Sequence, residues 1–354
     1  MSIIAVDQIT DSNGGNSTTV NGATPTIYNT MGRNIIINGA MEIAQRGTSA
    51  SGITNTSYFL VDRFKTVINS AFTVSVEQST DAPSGFNYSL KTTWTTGAAS
   101  SSSNYCLIDH NIEKNTMFTT GNGTTWAKPI TISFWVKSSV TGTYAFALQN
   151  FGSSRRSNVL SYTINAANTW EHKVITTTAD TVTNTNAANA TGLALRFAHG
   201  AGTAYEAANA TSGWTTSDTF GFSGATYPAQ TTGATWYITG VQLEVGSVAT
   251  EFERRPYGTE LALCQRYYQS YAEAYYNAVR TNYVNGSAND AGPPYTSMIL
   301  YPVKMRATPS ASLSNGSASI NAADDSRARI VYASSRSPGQ TEMIITTLAL
   351  SAEL

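Results

Sequence analysis

The sequence predicts an all-β protein built from an extended N-terminal arm, a jelly-roll β-sandwich, a short helix and a small C-terminal β domain. Three observations carry that expectation. Short apolar runs with period-2 alternation recur along residues 34–245, separated by turn clusters such as Gly121-Asn122-Gly123 and Gly200-Ala201-Gly202. Only 12% of the 354 residues are charged and the net charge is −1, while aromatic residues make up 10%, so the chain is folded and its surface is uncharged but polar. Near residue 257 the apolar period changes from about 2 to about 3.6, which is how a sheet hands over to a helix. The length suits two domains and an arm better than one sandwich.

Residues 1–33 form the arm. They open with Ile3, Ile4, Ala5 and Val6 and continue with a Gly-, Asn-, Ser- and Thr-rich stretch that has no core of its own. Two readings stand side by side: a disordered tail, or a docking arm in which Ile3, Ile4 and Val6 add a strand to the sheet edge of a partner. The sandwich is assigned to residues 34–256. It opens with Asn34-Ile35-Ile36-Ile37 and turns at Asn38-Gly39; strand-like runs follow at 58–66, 72–78, 88–94, 105–112, 130–137, 144–149, 157–164, 170–177, 193–198 and 236–244. In the run 131–137 the alternation puts Ile132, Phe134 and Val136 on one face. Trp135 falls on the other, under a loop or strand or on display. Trp94, Trp135, Trp170 and Trp236, all in strand-like runs, are core residues by default. The polar stretches 179–191 and 201–232 read as loops on one rim.

The helix and C-terminal domain are assigned to residues 257–354. Leu261, Cys264, Tyr268, Tyr271 and Tyr275 are spaced by three and four, an a/d pattern through two heptads. The row reads either as a stripe lying on the sandwich or as the seam of a trimer. Strand patterns then follow, with Asn315-Gly316 as a hairpin signal. Cys106 and Cys264 read as buried free thiols, with a disulfide as the alternative.

Little in the chain points to catalysis. No spacing singles out a pair among Asp62, Glu77, Asp109, Glu113, Glu171 and Glu206, the three histidines fall in separate runs, and no G-x-S-x-G, C-x-x-C or H-E-x-x-H pattern occurs. The expectation is a protein that is not an enzyme and carries no cofactor. No basic stripe exists to displace counterions from phosphates, so nucleic acid is not an expected partner. No apolar run reaches the roughly 18 residues a membrane helix needs, and the first residues lack the pattern of a signal peptide. Glycan binding needs displayed aromatic rings in a polar setting. Trp214, Tyr205, Tyr227 and Trp126, all in loop-like surroundings, are the candidates; for Trp214 a loop anchor packed on the sandwich is the competing reading.

Residues 237–246, YITGVQLEVG, and residues 252–269, FERRPYGTELALCQRYYQ, together resemble a segment of phage (cyanophage-like) tail-fibre and other virion surface proteins that carry a carbohydrate-binding-module-like jelly roll. The run Tyr301-Pro302-Val303-Lys304-Met305-Arg306-Ala307-Thr308-Pro309 resembles a strand and turn of the same group. The resemblance implies a structural virion protein, a tail fibre or receptor-binding fibre, exposed on the particle surface, homotrimeric, held to other virion proteins by its arm and attached to host surface polysaccharide. The alternatives it leaves are a capsid decoration or neck-fibre protein, and a non-catalytic carbohydrate-binding module of a secreted glycan-degrading system. The opening strand is similar to that of carbohydrate-binding sandwiches, which implies a Ca²⁺ candidate at Glu42. Thr239-Gly240 stands where those modules commonly have Asp, so no metal is assigned.

Overall fold

A computed structural model of the chain describes residues 32–54, 57–69, 72–99, 101–152, 154–182, 187–210, 213–278, 295–313, 318–332 and 342–354. The sandwich strands, in chain order, are β1 (Ser49–Ile53), β2 (Ser57–Phe59), β3 (Phe64–Asn69), β4 (Thr73–Ser79), β5 (Ser89–Thr96), β6 (Tyr105–Glu113), β7 (Pro129–Ser138) and β8 (Gly142–Phe151). They continue with β9 (Arg155–Ile164), β10 (Glu171–Thr178), β11 (Thr191–Ala201), the short β12 (Glu206–Ala207), β13 (Thr215–Thr216) and β14 (Gly221–Phe222), and β15 (Thr235–Val245). One sheet has the order β1-β4-β5-β15-β7-β10 and the other β13-β9-β8-β11-β6-β3-β2. Consecutive long strands repeatedly switch sheets, which is the jelly-roll pattern.

The alternation read in the sequence is an alternation of faces: in β3 and β4 burial alternates with it, whereas the central strands β6, β7 and β11 are buried at nearly every residue. In β7, Phe134 points between the sheets and meets the rings of Phe197 and Tyr162, each 5.2 Å away and edge-on. Trp94 and Trp236 are fully buried with it, as expected of core residues. Trp170 is half-buried on the outer face, because it precedes an edge strand whose outward side no other layer covers. In β15 the apolar phase moves by one residue, from Trp236 and Ile238 to Val241 and Leu243, and all four are in the core. A register shift between Thr239 and Gln242 explains it: Gly240 sits there at φ +61°, and a Cβ would lie 2.6 Å from the Phe86 ring.

Several readings differ from the sequence expectation. The opening run 34–37 is irregular backbone rather than a strand, with Ile35 N–H donating to Leu243 O of β15 (2.9 Å). The run 58–66 is two antiparallel strands, β2 and β3, because Leu60–Arg63 turns inward with Arg63 at φ +71°. The stretch 201–232 is not a rim loop. Its Phe220, Phe222 and Tyr227 lie on Leu107, Ala145, Ala147 and Ala198, the outward residues of the seven-stranded sheet, and form a second hydrophobic cluster.

After β15 the Phe-Glu-Arg-Arg-Pro segment clasps the chain's opening residues. Glu253 accepts the N–H groups of Gly32 (2.5 Å) and Asn34 (2.6 Å), Arg255 donates to Ile36 O (3.0 Å) and pairs with Glu260, and Arg254 covers the Phe86 ring. Helix α1 (Tyr257–Gln265) follows, then β16 (Tyr268–Ala278), β17 (Tyr295–Leu300), β18 (Ser310–Leu313), β19 (Ala318–Ala323), β20 (Arg327–Tyr332) and β21 (Glu342–Ser351). These strands form two three-stranded sheets, β16-β21-β18 and β17-β20-β19. Strands β18 and β19 therefore lie in different sheets and do not pair as the expected hairpin; Asn315 and Gly316 lie outside the described residues. The C-terminal unit is pinned to the sandwich by charged pairs, one of them buried. Arg63 pairs with Glu353, donates to Asn111 O (2.6 Å) and lies 3.5 Å from the Tyr267 ring centre, while Arg266 holds Glu113 in a two-point pair at 2.9 and 3.0 Å.

Candidate functional site

Among the sequence candidates, Trp126 is the one that the fold displays. A 3₁₀ turn, Thr116–Thr120, buries Met117 and leaves Phe118 pointing out. Gly121 closes the turn at φ +69°, and a Cβ there would stand 2.7 Å from Trp126 Cε3, so only glycine lets the indole sit where it does. Lys128 donates its N–H to Thr120 O (2.9 Å) and its Nζ to Thr119 O (3.0 Å), with the Nζ 5.5 Å from the indole centre. The base is held by Asp180, whose O accepts Gly123 N–H (2.6 Å) and whose carboxylate is enclosed by Asn150 and Arg156. Phe118 is 72% exposed and Trp126 46%, their rings 5.7 Å apart and nearly perpendicular. The result is an apolar corner on a rigid mount among threonine and asparagine side chains.

The other three candidates are placed differently. Trp214 is half-buried against the core, with Nε1–H donating to Thr178 O at 2.8 Å, so it has the anchor position. Tyr227 is buried, its hydroxyl donating to Glu206 (2.9 Å), and burial beside that carboxylate pushes its pKa far up; it presents no open face. Tyr205 stacks on Phe220 at 5.0 Å with its edge against Tyr105, so one ring face is already covered. Aromatic residues in polar stretches had two possible roles, cover and display. Sequence could not separate them, because the apolar row that Phe220 and Tyr227 cover comes from three distant strands.

The seam residues are also redistributed. Helix α1 ends at Gln265, so Leu261 and Cys264 are helical, while Tyr268, Tyr271 and Tyr275 belong to β16. The two-heptad helix is thus corrected to one short helix and a strand. The physical reason is the tyrosine-rich composition, which favours a strand, and the pairing of β16 with β21 from Tyr268 onward. Cys264 is fully buried and its thiol free, as is that of Cys106. The Arg46 guanidinium covers the Tyr268 ring at 3.5 Å, and the Tyr271 hydroxyl donates to Gln269 (2.6 Å). The Tyr275 side chain and Ile3, Ile4 and Val6 lie outside the described residues. Glu42 accepts a hydrogen bond from Asn87 (3.2 Å), and among the described residues no three His, Cys, Asp or Glu side chains converge.

The carboxylates considered for chemistry are each tied to a structural partner. Asp109 faces Arg196 (3.4 Å), Glu171 is held by Lys173 and the amides of 165–166, which bring its pKa down to about 2, and Asp62 is enclosed by Gln45 and Arg46 with burial raising it to about 6. Sequence reasoning missed the outer face of the six-stranded sheet. There Tyr237 and Trp170 are half-exposed with ring centres 6.0 Å apart, and the Lys137 ammonium lies 4.2 Å from the Tyr237 ring and pairs with Asp81. The available signal was the odd-numbered phase of 131–137, which carries Trp135 and Lys137 outward together.

No family model matches the chain, and no curated protein matches it. Among solved structures, the enzymatically active domain of tailspike protein 4 from bacteriophage CBA120 aligns over 60% of this chain at 11% identity and a TM-score of 0.31; the chain spans 21% of that protein. A family 16 carbohydrate-binding module aligns over 59% of this chain and 99% of its own, at 13% identity and a TM-score of 0.29. A family 11 module from Clostridium thermocellum, solved with a β-1,3-1,4-mixed-linked tetrasaccharide, aligns over 57% and 98%, at 12% identity and 0.29. These are likenesses of fold alone. No helix among the described residues is long and apolar enough to cross a membrane.

Proposed function

We propose that the protein is a non-catalytic virion surface protein, a phage tail fibre or receptor-binding fibre, whose sandwich attaches to polysaccharide on the host cell. The observation that carries the attachment is the Trp126–Phe118 corner. Two large apolar rings stay in water on a mount that a glycine and a buried aspartate fix in place. Such exposure costs solvation unless a ligand covers it, and an aromatic face in a hydroxyl-rich setting suits the apolar face of a sugar. The virion assignment draws on the resemblance of residues 237–246 and 252–269 to phage fibre proteins. In this reading residues 1–33 dock onto other virion proteins and three copies assemble.

The test is binding of the full chain to a panel of surface polysaccharides immobilised on an array, for the unaltered protein and for Trp126→Ala. A stacked ring contributes about 1 kcal/mol, so the variant is expected to bind roughly 5-fold more weakly with an unchanged melting temperature. Equal binding by Trp126→Ala and the unaltered protein would refute the platform, and absence of binding to every polysaccharide would refute attachment itself.

A further inference from the structure

We infer that the outer face of the six-stranded sheet is a second carbohydrate-contact surface, a track across the strands shaped for an uncharged oligosaccharide. The inference rests on the proposed attachment to glycan and adds a site and a ligand charge to it.

The track follows from register. Ser49 stands opposite Glu77, Glu77 opposite Lys91, Lys91 opposite Tyr237 and Tyr237 opposite Lys137, so one row of outward side chains crosses β1, β4, β5, β15 and β7. Trp170, the residue before β10, completes the row, with Nε1–H donating to Asp81 at 3.1 Å and its ring edge-on to Tyr237. Six strands spaced about 4.8 Å apart make the row about 24 Å long, which suits a chain of sugars rather than one. A parallel row, Ser75, Thr93 and Thr235, lies beside it. At the β1 end the two rows border a pocket of 220 Å³ lined by Ser49, Ser51, Ser75, Glu77 and Thr93. One end of the track thus offers hydroxyls and a carboxylate, and the other offers half-exposed rings.

Charge decides the ligand class. Lys91 pairs with Glu77 at 3.1 Å and Lys137 pairs with Asp81, so each cation on the track is matched by an anion. A uronic-acid polymer or a phosphate backbone would meet Glu77 and Asp81 without a free cation in return. A neutral polyol exchanges hydrogen bonds with both signs and stacks on Tyr237 and Trp170. The buried side of the same strands (Val74, Val76, Leu90, Trp94, Trp236 and Ile238) is core, so the outward residues can change without emptying it.

The probes are neutral oligosaccharides and uronic-acid-containing oligosaccharides on one array, with the full chain and the variants Trp170→Ala, Ser75→Arg and Trp126→Ala. Ser75→Arg fills the pocket from a half-exposed position and guards against a folding defect in Trp170→Ala. The expected result is a loss of at least 5-fold in apparent affinity for the best neutral glycan in both track variants, with unchanged circular dichroism. Binding by the unaltered protein that only Trp126→Ala weakens would overturn the track and leave the attachment reading standing. No binding by the unaltered protein would overturn both, and tighter binding of uronic-acid glycans that Ser75→Arg strengthens would overturn the assignment of an uncharged ligand.

Discussion

A buried imidazole weakens a fold only when it takes a proton, and His199 is placed to show this. It is fully buried, 4.2 Å from the Trp236 ring and 5.1 Å from Trp94, and neither ring nitrogen has a hydrogen-bond partner among the described residues. Burial brings its pKa from 6.5 down to about 3. Between those values the unfolded chain binds the proton and the folded chain does not. Stability is therefore complete above about 6.5 and falls as the pH drops toward 3. Asp62 acts in the opposite sense: burial raises it to about 6, so its contribution is present below its unfolded value and is lost as pH rises through 6. Comparing the unaltered protein with His199→Leu isolates the histidine from that opposing group. Urea unfolding at pH 7 and pH 5 should show the unaltered protein losing about 2 kcal/mol more than the variant between the two. Equal losses would mean that His199 is not the neutral, buried group described.

At the scale of elements, sequence and structure agree where one physical signal dominates. The long sandwich strands were legible because their inner faces alternate strictly; β6, β7, β9 and β11 begin and end within a few residues of the runs 105–112, 130–137, 157–164 and 193–198. Where two patterns overlap, the reading failed. Spacings of three and four from Leu261 to Tyr275 fit a helix, but Tyr267, Gln269 and Tyr271 also alternate, and pairing with β21 decides for the strand. Trp126 was legible as a displayed candidate, whereas Tyr227 was not legible as cover, because the apolar row beneath it is assembled only by folding. This placement yields a prediction for the double variant Leu261→Asp, Tyr268→Asp. Tyr268 lies under Arg46 and its O accepts from Gln45 (2.9 Å), so its change strikes the contact between β16 and the sandwich, while Leu261 lies in α1. The variant is expected to lose roughly 2 kcal/mol of stability, as a lower melting temperature, while its mass by light scattering stays that of the unaltered protein. A fall in mass at an unchanged melting temperature would restore the seam.

For the whole molecule, the proposed sites are weak taken singly and gain strength only by number. A site resting on one or two stacked rings and a few hydrogen bonds reaches a dissociation constant on the order of millimolar, about −4 kcal/mol. A particle held by one such contact would leave at once. Linking copies makes each later contact intramolecular, and several contacts made at once can raise overall affinity by roughly 10² to 10⁴ without any new contact. The gain needs several sites that face one surface together, which is what a homotrimer with two glycan contacts per chain would provide. Light scattering of the purified full chain at micromolar concentration should therefore give a mass of three chains. Binding to a densely coated glycan surface should be at least 100-fold tighter than binding to the same oligosaccharide free in solution. Thinning the coating until neighbouring glycans lie farther apart than the sites should abolish the difference. A single-chain mass, together with equal affinity for dense, sparse and free glycan, would mean that the protein holds its ligand one site at a time, and a fibre built on weak contacts would then be the wrong description.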